Sequence, residues 1–122
     1  MGNLVLIADD DRDIVRFVAL NLRLEGFEVI VANDGQDALD KALDVHPSLI
    51  VLDTMMPRMD GYEVCSRLRD DRSDPPIPVI MLTAKSLESD RAMAFTAGAD
   101  DWVSKPFDPA DLVSRVKDRL RP

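Results

Sequence analysis

Three aspartates, Asp9-Asp10-Asp11, follow directly on the apolar run Leu4-Val5-Leu6-Ile7-Ala8. Carboxylates crowded at the end of a buried strand repel one another, and a hard cation with oxygen ligands is what gathers them. Three more apolar runs end on polar groups. Leu49-Ile50-Val51-Leu52 leads into Asp53, Val79-Ile80-Met81-Leu82 leads into Thr83, and a shorter run ends near Lys105-Pro106. Together these residues suit phosphoryl chemistry. Asp53 can serve as a nucleophile towards phosphorus, forming an acyl phosphate. Mg²⁺ held by Asp10 and Asp53 would offset the charge that a phosphoryl group brings to a cluster of acids. Lys105 supplies a compact positive charge, and Thr83 a hydroxyl donor. Phosphoryl transfer asks for little beyond such positioning and neutralisation.

Each residue also has a plainer reading. The first-loop aspartates suit a helix N-cap and first turn. Asp53 suits a turn before Pro57, Thr83 a helix cap, and Lys105 the surface. What separates the two accounts is joint occurrence, because all of these groups close strands on what must be one edge of a sheet.

The elements that position them alternate. Strands are predicted at 3–8, 27–32, 48–52, 77–82 and 100–103, and helices at 11–25, 35–45, 61–70, 86–97 and 108–120. In the first helix Ile14, Val18 and Leu22 recur at four-residue spacing, and Gly26 stops it. Gly98 stops the fourth, and Asp108-Pro109 opens the fifth as cap and first helical residue. Strands 3–8, 48–52 and 77–82 are almost wholly apolar, as strands covered on both faces are. Five βα units give a doubly wound α/β fold with a parallel sheet, whose ligands bind at the carboxyl ends of the strands.

At 122 residues the chain is expected to be one domain, 1–122. Its net charge of −8 disfavours direct binding of nucleic acid or of an anionic membrane. The single Cys65 excludes an internal disulfide and fits a reducing compartment. With no signal segment or apolar span, the expected location is cytoplasmic.

From end to end the chain resembles the receiver domain of two-component response regulators. The resemblance rests on Asp9-Asp10, the stretch Asp53-Thr54-Met55-Met56-Pro57-Arg58-Met59-Asp60-Gly61, Thr83-Ala84, Gly98-Ala99-Asp100-Asp101 and Lys105-Pro106-Phe107. It implies a flavodoxin-like five-stranded parallel sheet of order 2-1-3-4-5 with five helices on two faces. It implies a phosphorylation-activated switch rather than a turnover enzyme, with Asp53 as the phosphoacceptor and a sensor histidine kinase or phosphotransfer protein as the donor. Mg²⁺ would be bound by Asp10, Asp53 and the backbone carbonyl of Met55, and by Asp9 through water. Lys105 would pair with the phosphoryl group and form a cis bond to Pro106. Thr83 would move towards the phosphoryl group, assisted by the backbone N–H of Ala84, and Gly61 would allow a close approach behind the loop.

The family couples the threonine to an aromatic residue on the fifth strand, usually Tyr or Phe and here Trp102. That ring either takes part in the switch or simply packs. The signalling face would be helix 4, strand 5 and helix 5, with Arg91, Phe95, Asp101, Trp102, Lys117 and Arg121 as residues for self-association into a homodimer. Met55 and Lys85 stand where the lifetime of the phosphorylated state is tuned. Neither orients an attacking water well, so slow self-dephosphorylation is expected.

Three alternatives remain. A Mg²⁺-dependent phosphohydrolase would need a proton donor where Met55 stands. An FMN protein of similar fold would need a phosphate cradle where three aspartates stand. A receiver that is never phosphorylated finds no support, since all five diagnostic residues are present.

Overall fold

The computed structural model describes residues 3–71, 76–84 and 88–120, the side chains of residues 88–91 excepted. Strands and helices alternate throughout: β1 (Leu4–Ala8), α1 (Arg12–Leu24), β2 (Glu28–Ala32), α2 (Gly35–Val45), β3 (Leu49–Asp53), α3 (Gly61–Asp70), β4 (Val79–Thr83), α4 (Glu88–Thr96), β5 (Asp101–Ser104) and α5 (Pro109–Leu120). The five strands form one sheet in the order β2-β1-β3-β4-β5, and every pairing is parallel. This is the doubly wound arrangement expected. Ser86 and Leu87, where the fourth helix was expected to begin, lie outside the described residues.

The uninterrupted apolar strands are explained by what covers them. Successive side chains of a strand leave on opposite faces, so each of these strands feeds two cores. Leu6, Ile50, Leu52, Val79 and Met81 meet Leu39 of α2, Val64, Cys65 and Leu68 of α3 and Ala94 of α4. Val5, Ile7, Leu49, Val51, Ile80 and Leu82 meet Val15, Val18 and Leu22 of α1 and Leu112 and Val116 of α5. Each fully buried Leu, Ile or Val contributes about 1.5–3 kcal/mol, which makes the central strands the rigid part of the molecule. By contrast the described side chains of α4 add little to the core. Of its described side chains it buries Ala94, while Met93 and Phe95 are exposed.

The helix starts follow local chemistry. Asp11 caps α1, its carboxylate accepting from the backbone N–H groups of Asp13 at 3.0 Å and Ile14 at 3.3 Å. The plainer reading of the aspartate run therefore holds for Asp11 alone. Asp34 caps α2 through Asp37 N–H at 2.8 Å, and Asp60 caps α3 through Glu63 N–H at 2.9 Å.

The amino-terminal edge of the sheet is clamped by Arg69. Its guanidinium donates to the carbonyls of Gly98 at 2.9 Å and Ile77 at 2.8 Å and to the Asp100 carboxylate at 3.1 Å. The same Asp100 oxygen accepts from Val79 N–H at 2.8 Å. One side chain thus ties the end of α3 to the chain entering β4 and to the turn between α4 and β5. No described helix is long and apolar enough to cross a membrane.

Candidate functional site

The site forms at the carboxyl edge, where β1, β3, β4 and β5 end side by side. Parallel pairing sets Asp53 opposite Leu82 and Thr83 opposite Ser104, so the last residues of three strands lie nearly level. Asp9, one residue beyond β1, is 1% exposed, and Asp53 is 3% exposed. Asp10 is exposed. Carboxylate oxygens of Asp9, Asp10 and Asp53 lie within 4.8 Å of one another. Among the described residues this is the only group of acids, histidines or cysteines able to surround one ion.

Two buried carboxylates side by side are unfavourable unless a positive charge joins them. Lys105 does so. Its Nζ donates to Asp9 Oδ2 at 2.9 Å and to Asp53 Oδ1 at 3.2 Å. The other oxygen of Asp9 accepts from Asp11 N–H at 2.9 Å, which fixes that carboxylate in place. Lys105 is presented by β5, whose pairing continues one residue further as Lys105 N–H donates to Thr83 carbonyl at 2.7 Å. The Lys105–Pro106 bond is cis, as expected.

The charges settle unevenly. Burial, reinforced by the neighbouring charge of Asp9, raises the pKa of Asp53 to about 6, against the opposing pull of Lys105 and of a hydrogen bond from Met55 N–H. Burial works against the Lys105 ammonium, but its hydrogen bond to Asp9 and the charges of Asp53 and Asp9 prevail and hold its pKa above the ordinary lysine value. The amine stays charged, and Asp53 is a carboxylate whose proton is held less loosely than usual. Three hard oxygen donors around a shared centre fit a small divalent cation such as Mg²⁺.

The loop after Asp53 is built to pass close behind it. Thr54 N–H donates to Leu82 carbonyl and Gly61 N–H to Thr54 carbonyl, each at 3.0 Å. A Cβ at position 61 would sit 2.2 Å from the carbonyl oxygen of Asp53, so only glycine fits there. Met56 and Met59 plug the loop into the core, whereas Met55 projects outward with 69% of its surface exposed. Beside the acids, a cavity of about 420 Å³ is lined by Thr54, Met55, Tyr62, Thr83, Ala84 and Met93, among others.

Most of the residues singled out in the sequence therefore converge. Asp9, Asp10, Asp53 and Lys105 form one cluster, and Met55, Thr83 and Ala84 border the adjoining cavity. Trp102 sits on β5 opposite Met81, two residues before the partner of Thr83. By strand alternation Thr83 and Trp102 project from the same face, and the half-buried indole packs on the core beneath α2, α3 and α4. Lys85, Arg121 and the side chain of Arg91 lie outside the described residues. On the expected association face, Phe95 is exposed and Asp101 pairs with Arg115 at 2.8 Å. Lys117 instead pairs with Glu25 at the end of α1.

Sequence reasoning missed Met93 and the Lys105–Asp9 bond. Met93 carries no local signal that would place it beside Asp53. The bond spans 96 positions of chain.

The sequence profile of the response regulator receiver domain matches residues 5–117. The chain belongs to this family. It is 45% identical over 121 residues to the alkaline phosphatase synthesis transcriptional regulatory protein PhoP of Bacillus subtilis. That alignment covers 99% of this chain and 50% of PhoP, so the receiver domain spans half the length of that relative. Among solved structures, the receiver domain of Francisella response regulator 1452 superposes with a TM-score of 0.90 at 33% identity, covering 96% of this chain and 95% of that one. Response regulator DrrB, a Thermotoga maritima OmpR/PhoB homologue, superposes with a TM-score of 0.89 at 36% identity, covering 98% of this chain and 53% of its own. A receiver domain is a phosphorylation-activated switch of two-component signalling, and the acidic cluster fits that role.

Proposed function

We propose that Asp53 is the phosphoacceptor and that its donor is a phosphohistidine on a sensor histidine kinase or phosphotransfer protein. The observation that carries this reading is the setting of Asp53, a buried carboxylate joined to the Asp9 carboxylate through the Lys105 ammonium, next in the chain to Thr54 and Met55, which line a cavity. An Asp53 oxygen attacks phosphorus, a P–O bond forms, and the P–N bond to the histidine breaks with its electron pair leaving on the imidazole. The product is an acyl phosphate on Asp53.

Asp10, Asp53 and the backbone carbonyl of Met55 would hold Mg²⁺, with Asp9 acting through water. When bound, the ion supplies charge neutralisation for the entering phosphoryl oxygens. Lys105 can leave Asp53 for a phosphoryl oxygen while keeping Asp9 as its anchor, and so carries positive charge to the new group without becoming unpaired. The Thr83 hydroxyl and the Ala84 N–H, both at the cavity rim, are donors for the remaining oxygens. Thr83 drawn towards the phosphoryl group would free space on the sheet face that it shares with Trp102. This supports an output through α4, β5 and α5 and, by that surface, association of two copies.

Met55 has a thioether where a phosphohydrolase needs a proton donor, which favours one phosphorylation event per signal over turnover. With Lys85, it would give a slowly decaying acyl phosphate. Exchanging both, Met55→Asn with Lys85→Glu, should speed the decay, and an unchanged rate would count against that assignment.

The deciding experiment is intact mass after incubation with Mg²⁺ and acetyl phosphate. One phosphoryl group gained by the wild type, and none by Asp53→Asn or in EDTA, is the expected result. A folded, cation-binding protein that gains none from acetyl phosphate or from any phosphorylated histidine kinase would overturn it.

A further inference from the structure

Of the five methionines among the described residues, Met56, Met59 and Met81 are buried, whereas Met55 is 69% and Met93 51% exposed. The two exposed thioethers come from the loop between β3 and α3 and from α4, far apart in sequence, yet both line the same cavity, together with Tyr62, Thr83 and Thr54, the residue after Asp53. Exposure is what decides which thioethers an oxidant reaches, and a sulfoxide turns a flexible apolar side chain into a polar hydrogen-bond acceptor.

We infer that Met55 and Met93 form a peroxide-sensitive modification site that shortens the life of the phosphorylated state. In the step, the Met55 sulfur attacks a peroxide oxygen. An S–O bond forms, the O–O bond breaks, and the proton on the transferred oxygen passes to the departing hydroxide, which leaves as water; hydrogen peroxide is the two-electron oxidant. The unmodified thioether is too weak an acceptor to hold a water against the acyl phosphate. The sulfoxide oxygen can accept from a water and keep it at the mouth of the cavity, where it is placed to attack phosphorus. At Met93 the same change puts a polar group on the α4 wall of the cavity. The inference rests on Asp53 being the phosphoacceptor and adds a second input, oxidation, to that site.

The test has two arms on the same protein. Peptide mass mapping after graded hydrogen peroxide should show one added oxygen at Met55 and Met93 well before Met56, Met59 or Met81. The treated and untreated domains are then labelled with acetyl phosphate and Mg²⁺, freed of donor, and followed as the acyl phosphate decays. Oxidation should quicken the decay about three- to tenfold, the size of effect that one ordinary hydrogen bond supplies. Treatment with methionine sulfoxide reductases should reverse it. Met55→Leu, compared with its own untreated sample, should lose the response. Equal oxidation of all five methionines, or an unchanged decay with Met55 fully oxidised, overturns the inference and leaves Asp53 standing. Failure of the untreated protein to take up a phosphoryl group removes the Asp53 reading and this inference with it.

Discussion

Lys105 and Asp9 are joined by a 2.9 Å hydrogen-bonded ion pair across 96 positions of chain, with the carboxylate fully buried. Because the same ammonium reaches Asp53 at 3.2 Å, it occupies electrostatically the place that a divalent cation would take. The site is thus internally neutralised in part before any ligand arrives.

Replacing Lys105 by Met should therefore tighten divalent cation binding while weakening phosphorylation. Two unit charges about 5 Å apart at an effective dielectric near 20 repel by about 3 kcal/mol, so even after screening by solvent and salt at least about a tenfold gain in affinity is expected. Calorimetric titration with Mg²⁺ measures it. Unchanged or weaker binding in Lys105→Met would show that the amine does not compete with the cation.

Asp53 sets a pH dependence of stability. Its carboxyl titrates near 6 in the folded protein and near 3.8 as a free side chain. The native state thus holds an extra proton between those values, and its stability falls as pH rises through that window. Without added cation, Asp53→Asn should be more stable than wild type at pH 7 by about 1–3 kcal/mol, and the advantage should fade below pH 4. Urea unfolding in EDTA at pH 4 and pH 7 reads both ends, and a less stable Asp53→Asn at pH 7 would contradict the assignment.

Gly61→Ala drives a methyl group into the Asp53 carbonyl. Overpacking against backbone costs about 2–4 kcal/mol, and here the backbone that must move carries Asp53, the proposed phosphoacceptor. Gly26→Ala makes the contrast. Position 26 has φ +94° and no neighbour within 4 Å of an added Cβ, so it costs about 1–2 kcal/mol of backbone strain. Labelling by acetyl phosphate, scored on the folded fraction, should fall in Gly61→Ala and hold in Gly26→Ala.

Arg69→Ala removes three hydrogen bonds and leaves the Gly98 and Ile77 carbonyls without that donor. A loss of about 2–3 kcal/mol is expected in denaturant unfolding, allowing for the partial exposure of the guanidinium. Arg69→Lys should recover only part of it, since an ammonium cannot match the planar fork. Full recovery by lysine would mean that charge, not shape, makes the clamp.

Much of this architecture was legible because local chemistry and tertiary need agree. The apolar runs of β1, β3 and β4 need two covered faces, and the caps at Asp11, Asp34 and Asp60 sit where chain pattern puts helix starts. What could not be read is which member of Asp9-Asp10-Asp11 does what. Three identical neighbours receive three fates, one buried against Lys105, one exposed at the ion-sized gap and one capping α1. The path of the backbone past the strand end decides this, and no periodicity encodes it. Arg69 was equally hidden. Flanked by Arg67, Asp70 and Asp71, it looks like any charge on a solvated helix end, and its partners lie 8, 29 and 31 positions away.

The strand order has a consequence for the sequence of assembly. Asp9 and Asp53 come together as soon as β1 and β3 pair, but their counter-charge lies beyond β5, the outermost strand on that side. Until the segment carrying Lys105 has docked, the two acids face each other in a closing core without that ammonium. Such distant pairings are the slow ones in folding. The acidic site of this domain is therefore completed only when β5 pairs with β4, and a copy in which that strand has not docked leaves Asp9 and Asp53 without their shared counter-charge.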